Sequence, residues 1–263
     1  MWGVIPAAGR GSRMQPLAFS KELLPVGSRT QDQIERPCAV SEYLIERLVL
    51  GGADRLCFII APGKSDILEY FGDAYAGVPI AYVVQPKAEG LCDSVFRATC
   101  VVSEHDDVIV GLPDTIWFPK AALQELPHGM LSFLLFPVDR PELFDAVVLD
   151  GEAVREIQVK RRDAASRWIW GAFRMPAAVF RDLHDLWRAR GRMDEYFGTL
   201  VNAYLAAGGE AVGVKCGESY VDVGTLHGYR TAMSLLSASR ESGPAIAHVA
   251  EQQRARDIRR VKS

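Results

Sequence analysis

Short, unbroken apolar runs separated by segments of helical spacing constrain this chain more than any other feature of its sequence. The runs at 2–8, 55–61, 80–84 and 107–112 have no polar face, the pattern of strands covered on both sides. Between them, 39–50 places Val40, Leu44 and Leu48 on one helical face and stops at Gly51-Gly52. Segments 65–71 and 94–102 also predict helices. Strands alternating with helices predict an α/β fold with helices over both faces of the sheet.

The second half is more varied. A helical stretch is expected after Pro119 up to 126, then a core strand at 130–137. Runs 144–149 and 154–159 flank Asp150-Gly151 and predict a hairpin. A strand at 168–173, helices at 175–187 and 197–207, a strand at 210–214 and a helix at 226–236 complete the pattern. Neither an internal repeat nor a long linker interrupts it, and residues 241–263 read as a charged, helical tail.

Composition excludes several classes of function. With 49% hydrophobic and 24% charged residues, the 263-residue chain is an ordinary globular protein with enough apolar surface for its own core. Thirty basic residues against 33 acidic ones, a net charge of -3, give no field suited to nucleic acid or an anionic membrane. The start of the chain has no leader pattern, and no apolar run approaches the roughly 20 residues that span a bilayer. A cytoplasmic protein is expected. The five cysteines are scattered and never paired as CxxC, so free thiols are expected rather than disulfides or a zinc site.

Chemistry concentrates at a few loops. Gly9-Arg10-Gly11-Ser12-Arg13 follows the first strand, where backbone N–H groups can reach an anion, and Lys21 lies close behind. The segment is not a Walker loop, and position 14 is Met rather than the third glycine of a dinucleotide fingerprint. An NAD-linked oxidoreductase is therefore disfavoured. Gly9, Gln85 and Asp114 each follow a strand, where ligands gather in open α/β sheets. Asp114 and Asp222 sit in turns after apolar segments. They suit either a shared divalent cation or plain turn and capping roles. Trp168 and Trp170 read first as core aromatics, and His105, His128 and His227 as surface residues.

Five blocks together resemble the sugar-phosphate nucleotidyltransferase family, in particular enzymes that make dTDP-glucose or UDP-glucose. They are Pro6-Ala7-Ala8-Gly9-Arg10-Gly11-Ser12-Arg13-Met14-Gln15-Pro16, Ser20-Lys21-Glu22-Leu23-Leu24-Pro25-Val26, Gln85-Pro86-Lys87-Ala88-Glu89-Gly90-Leu91, Gly111-Leu112-Pro113-Asp114 and Tyr220-Val221-Asp222-Val223-Gly224-Thr225. The resemblance implies a Rossmann-like mixed, mainly parallel sheet flanked by helices, with an inserted sugar-binding β region. It implies one domain over 1–240, with a nucleotide half at 1–118 and an acceptor half at 119–240.

By the same resemblance, Ala8, Gly9, Gly11, Ser12 and Arg13 bind the triphosphate, and Gln85 and Gly90 read a pyrimidine base. Lys21 acts near the reacting centre, and Asp114 and Asp222 hold Mg2+. The implied reaction is displacement at the α-phosphorus of dTTP, UTP or CTP by a sugar or cyclitol phosphate, releasing pyrophosphate. Lys160 matches the lysine that holds the acceptor phosphate. Many relatives carry a glutamate just before it that contacts sugar hydroxyls; here that position is Val159. Gly171 and Trp170 are further acceptor-site candidates. A homo-oligomer is expected, and a non-catalytic nucleotide sensor on the same fold is the alternative reading.

Overall fold

The structure is a computed structural model that describes residues 1–31 and 33–238; the tail expected over 241–263 lies outside the described residues. The chain opens with β1 (Trp2–Pro6), then an antiparallel ribbon of β2 (Pro25–Gln31) and β3 (Ile34–Ala39), and α1 (Val40–Leu50). Next come β4 (Arg55–Ile60), α2 (Ser65–Phe71), β5 (Ala74–Tyr75), β6 (Val78–Val84), α3 (Gly90–Phe96), β7 (Asp107–Gly111) and β8 (Thr115–Phe118). The second half holds β9 (Leu131–Pro137), β10 (Asp145–Asp150), β11 (Ala153–Val159), β12 (Trp168–Pro176), α4 (Ala177–Ala189), α5 (Phe197–Ala206), β13 (Ala211–Val214), β14 (Ser219–Asp222) and α6 (Leu226–Ala238).

Ten strands form one mixed sheet in the order β10-β11-β13-β9-β12-β7-β1-β4-β6-β5. Strands β6, β4, β1 and β7 run parallel, and β12 joins β7 antiparallel. The sheet thus continues across residue 118 without a break. Alternation along its strands explains why both faces are covered. In β4, Cys57 and Ile59 face one core with helix residues Val95, Phe96, Phe180 and Leu200. Leu56, Phe58 and Ile60 face the other, against Leu44, Leu48, Ile67 and Phe71. A third core joins the β2–β3 ribbon, β8, β14 and α6 through Val26, Tyr43, Ile116, Val221 and Leu236.

Three expected elements differ. The helix expected over 94–102 begins at Gly90, because Leu91 N–H is anchored on the Glu195 carbonyl at 2.9 Å, and it tightens into a 3-10 turn at Arg97–Cys100. The stretch up to 126 is a single 3-10 turn, Ala122–Glu125, confined between Pro119 and Pro127. The helix expected from 175 starts at Ala177, since Met175 and Pro176 remain in β12 paired with Val108 and Asp107.

Candidate active site

The site forms where β8 and β14 pair. Their antiparallel register sets Asp222 opposite Thr115, and Val223 N–H donates to the Asp114 carbonyl at 2.8 Å. Two aspartates distant in sequence are thereby brought side by side at the carboxyl end of β7 and its following turn. Gly224 shows how close they come: a Cβ there would lie 2.8 Å from Asp222 Oδ1, 2.9 Å from Asp114 Oδ2 and 3.0 Å from an Arg13 guanidinium nitrogen. No side chain fits in that space without displacing the charged groups.

Each carboxylate carries its own cation. Lys21 Nζ donates to Asp114 Oδ2 at 2.5 Å, and Arg13 donates to Asp222 Oδ2 at 3.0 Å. Burial opposes ionisation of Asp114, but Lys21, with help from Arg13, outweighs it and holds the carboxyl below its usual range. Burial likewise works against the charged Lys21, and Asp114, Glu22 and Asp222 together overcome it and raise the ammonium above its ordinary value. Both groups are therefore charged at neutral pH.

The glycine loop lies over Lys21. Gly11, in the left-handed region at φ 63°, approaches the lysine stem so closely that a Cβ would sit 2.9 Å from its Cδ. Ala8 is buried at the strand end, whereas Gly9, Ser12 and Arg13 are exposed toward solvent. Beneath the loop, Lys64 donates to the Ala7 carbonyl at 2.6 Å and to both oxygens of the fully buried Glu22 at 2.9 and 2.8 Å. It pins the end of β1 to the turn that carries Lys21. The sequence reading gave no role to Lys64 or Glu22; the fixed place of Glu22 beside Lys21 was the available signal.

A cavity of about 560 Å3 opens from this centre, walled by Arg13, Lys21, Asp114, Asp222, Leu91, Asp145, Lys160, Trp170, Tyr196 and Tyr220, among others. Lys160 is the only non-glycine in this wall with a positive φ, 45°, and its ammonium lies 4.5 Å from the centre of the Tyr196 ring. Trp170 is only 6% exposed. It packs on Phe133 and Phe173 and presents an edge to the cavity, so it is chiefly a core residue.

Gly171 does not line the cavity. It sits in a bulge of β12 between the pairs Trp170 with Leu135 and Ala172 with Leu134, against the rings of Phe136 and Tyr220. Gln85 and Gly90 also lie off the cavity wall. Gln85 is buried, its amide nitrogen bonded to Asp93 at 2.7 Å and to the Gly90 carbonyl at 3.4 Å. Tyr196, Tyr220 and Asp145 had no site role in the sequence reading, because only the tertiary fold brings them to this wall.

Asp114 and Asp222 suit a hard divalent cation. Two carboxylates border one space that a Cβ would fill, and such ions complete their shell with phosphate and water oxygens. Among the described residues no third histidine, cysteine or acidic side chain joins them.

The nucleotidyl transferase family profile matches residues 2–239. This chain belongs to that family. The nucleotidyltransferase is 32% identical over 194 residues to the UTP--glucose-1-phosphate uridylyltransferase AglF of Haloferax volcanii, a match covering 70% of this chain and 75% of the relative. In fold it is similar to a Bacillus anthracis protein assigned as a glucose-1-phosphate thymidylyltransferase and solved with a sucrose. That match has a TM-score of 0.75 at 24% identity, covering 89% of this chain and 95% of that one. It is also similar to the UTP-bound UGPase of Acinetobacter baumannii, with a TM-score of 0.73 at 20% identity over 94% and 96% of the two chains. None of the nucleotidyltransferase's described helices is long and apolar enough to cross a membrane.

Proposed function

We propose that this enzyme transfers a nucleoside monophosphate from a pyrimidine nucleoside triphosphate to a sugar 1-phosphate, with magnesium held by Asp114 and Asp222, and releases pyrophosphate. One observation carries the reading. Two carboxylates and two cations converge around Gly224 at one end of a cavity whose wall also bears Lys160. The Haloferax volcanii relative is named for UTP and glucose 1-phosphate, so that pair is the first to test.

In this mechanism Arg13 and Lys21 exchange their carboxylate partners for oxygens of the triphosphate and neutralise the departing pyrophosphate. Lys160 holds the acceptor phosphate so that one of its oxygens faces the α-phosphorus opposite the leaving group. The new phosphorus–oxygen bond forms as the bond to pyrophosphate breaks, and pyrophosphate leaves with the electron pair. The acceptor phosphate, with a second pKa of about 6, is already ionised at neutral pH and needs no protein base. Magnesium, when bound, offsets the triphosphate charge and the charge added in the transition state.

The Haloferax volcanii relative's name supports a uridine nucleotide as the first choice of base. The five unpaired thiols suit the reducing cytoplasm, where these triphosphates are abundant.

Pyrophosphate release by the purified chain, with UTP, dTTP or CTP against glucose 1-phosphate and a panel of amino-sugar and cyclitol phosphates, tests the proposal. Magnesium-dependent release with UTP or another pyrimidine nucleoside triphosphate is expected. Nucleotide binding without release in every combination would instead favour the sensing reading.

A further inference from the structure

Asp145 pairs directly with Val159 across the β10–β11 hairpin. Directly opposed residues of an antiparallel pair project from the same face with Cβ atoms about 5 Å apart. The next residue after Val159 is Lys160, whose N–H donates to the Phe144 carbonyl at 2.9 Å. Asp145 and Lys160 both line the cavity wall, near enough for their charges to interact.

The Asp145 carboxylate is poorly matched to the protein around it. Its Oδ1 is buried, and the donors nearest to the carboxylate, the Trp170 indole N–H and the Lys160 backbone N–H, offset that burial only in part, the indole falling short of a well-formed hydrogen bond. Burial pushes the Asp145 carboxyl up to about 6, against the opposing pull of Lys160 and of the Trp170 indole N–H. A carboxylate that costs the folded chain stability while lining a ligand cavity is explained when a ligand hydroxyl donates to the oxygen that faces the cavity.

We propose that Asp145 is the residue that recognises the acceptor: its carboxylate accepts a hydrogen bond from a ring hydroxyl of the sugar phosphate held by Lys160. Position 159 is apolar in this chain, and the carboxylate comes from the facing strand instead. The sugar ring is thereby gripped from β10, and its orientation relative to the phosphate differs from one set by a carboxylate at 159. The inference rests on the sugar-phosphate reading of the cavity.

Steady-state kinetics on the full chain separates the two. The probe is the best acceptor among hexose 1-phosphates, starting from glucose 1-phosphate, together with its monodeoxy analogues. The unaltered protein is expected to discriminate about tenfold or more against one analogue, the scale of a hydrogen bond to a charged group. Asp145→Ala should raise the acceptor KM, leave the KM for the nucleotide within about twofold and abolish that discrimination, while Asp145→Asn, which keeps an acceptor oxygen but no charge, should weaken it. Restoring a carboxylate in Asp145→Ala/Val159→Glu should recover acceptor affinity. An unchanged acceptor KM and unchanged discrimination in a folded, active Asp145→Ala would overturn the assignment. No turnover of any sugar phosphate by the unaltered protein would overturn the parent reading and the assignment with it.

Discussion

Lys21 Nζ lies 2.5 Å from Asp114 Oδ2, so a largely buried ammonium is paired directly with one of the two carboxylates proposed to hold magnesium. Replacing Lys21 with Met should lower turnover by about a hundredfold or more, as loss of one preorganised charge does elsewhere. Asp114 would then keep its burial and lose the cation that holds its carboxyl low, so that carboxyl rises. The acid limb of the kcat/KM–pH profile, which reports the free enzyme, should move to higher pH. A profile unchanged in shape would separate Lys21 from Asp114.

Gly224→Ala probes the space where the carboxylates meet. The residue has no left-handed backbone to protect, and the added Cβ would meet only side-chain ends, at 2.8 to 3.0 Å. Thermal unfolding should therefore shift little, while magnesium-supported pyrophosphate release falls by at least about tenfold. Equal losses of stability and activity would point to a packing role.

Removing Lys64 leaves Glu22 buried and unpaired. Lys64→Met is expected to cost about 3–5 kcal/mol of stability by urea unfolding. Burial already holds the Glu22 carboxyl above its ordinary value, against the opposing effect of Lys64 and Lys21. The deficit should therefore shrink as pH falls and Glu22 takes up a proton, and Glu22→Gln in the same chain should recover part of it.

Asp145 gives a prediction of opposite sign. Its folded carboxyl titrates at about 6 and an unfolded aspartate near 3.9, so the native state binds the proton more tightly. The resulting penalty is absent below about pH 4, grows between 4 and 6 and is complete above that. Asp145→Asn should stabilise the chain by on the order of 1–2 kcal/mol at pH 7.5 and leave it unchanged near pH 4. Urea midpoints at the two pH values measure the difference.

The α/β order and the two covered sheet faces were legible because β1, and β4 and β7 beyond their charged first residues Arg55 and Asp107, are apolar. The β2–β3 ribbon was not. Its cross-strand partners include Ser28 with Pro37 and Arg29 with Arg36, and they carry no hydrophobic alternation to read. Arg13, Lys21, Asp114 and Asp222 were legible as motif residues, but their meeting depends on the pairing of Thr115–Phe118 with Ser219–Asp222, a contact with no local signature. Gly171 was read as part of the acceptor site from its aromatic neighbours; its bulge against Phe136 and Tyr220 is visible only in three dimensions. Asp145 escaped notice for the same reason, since its register with Val159 decides which way it faces.

The most direct test of the central claim is exchange of labelled pyrophosphate into UTP or dTTP, in the presence of the matching nucleotide sugar and magnesium, by the unaltered chain and by Asp114→Asn and Asp222→Asn. The account predicts exchange by the unaltered chain and losses of about a hundredfold or more in both folded variants. Exchange at the original rate in either variant, or none in the unaltered chain with bound nucleotide, would contradict it.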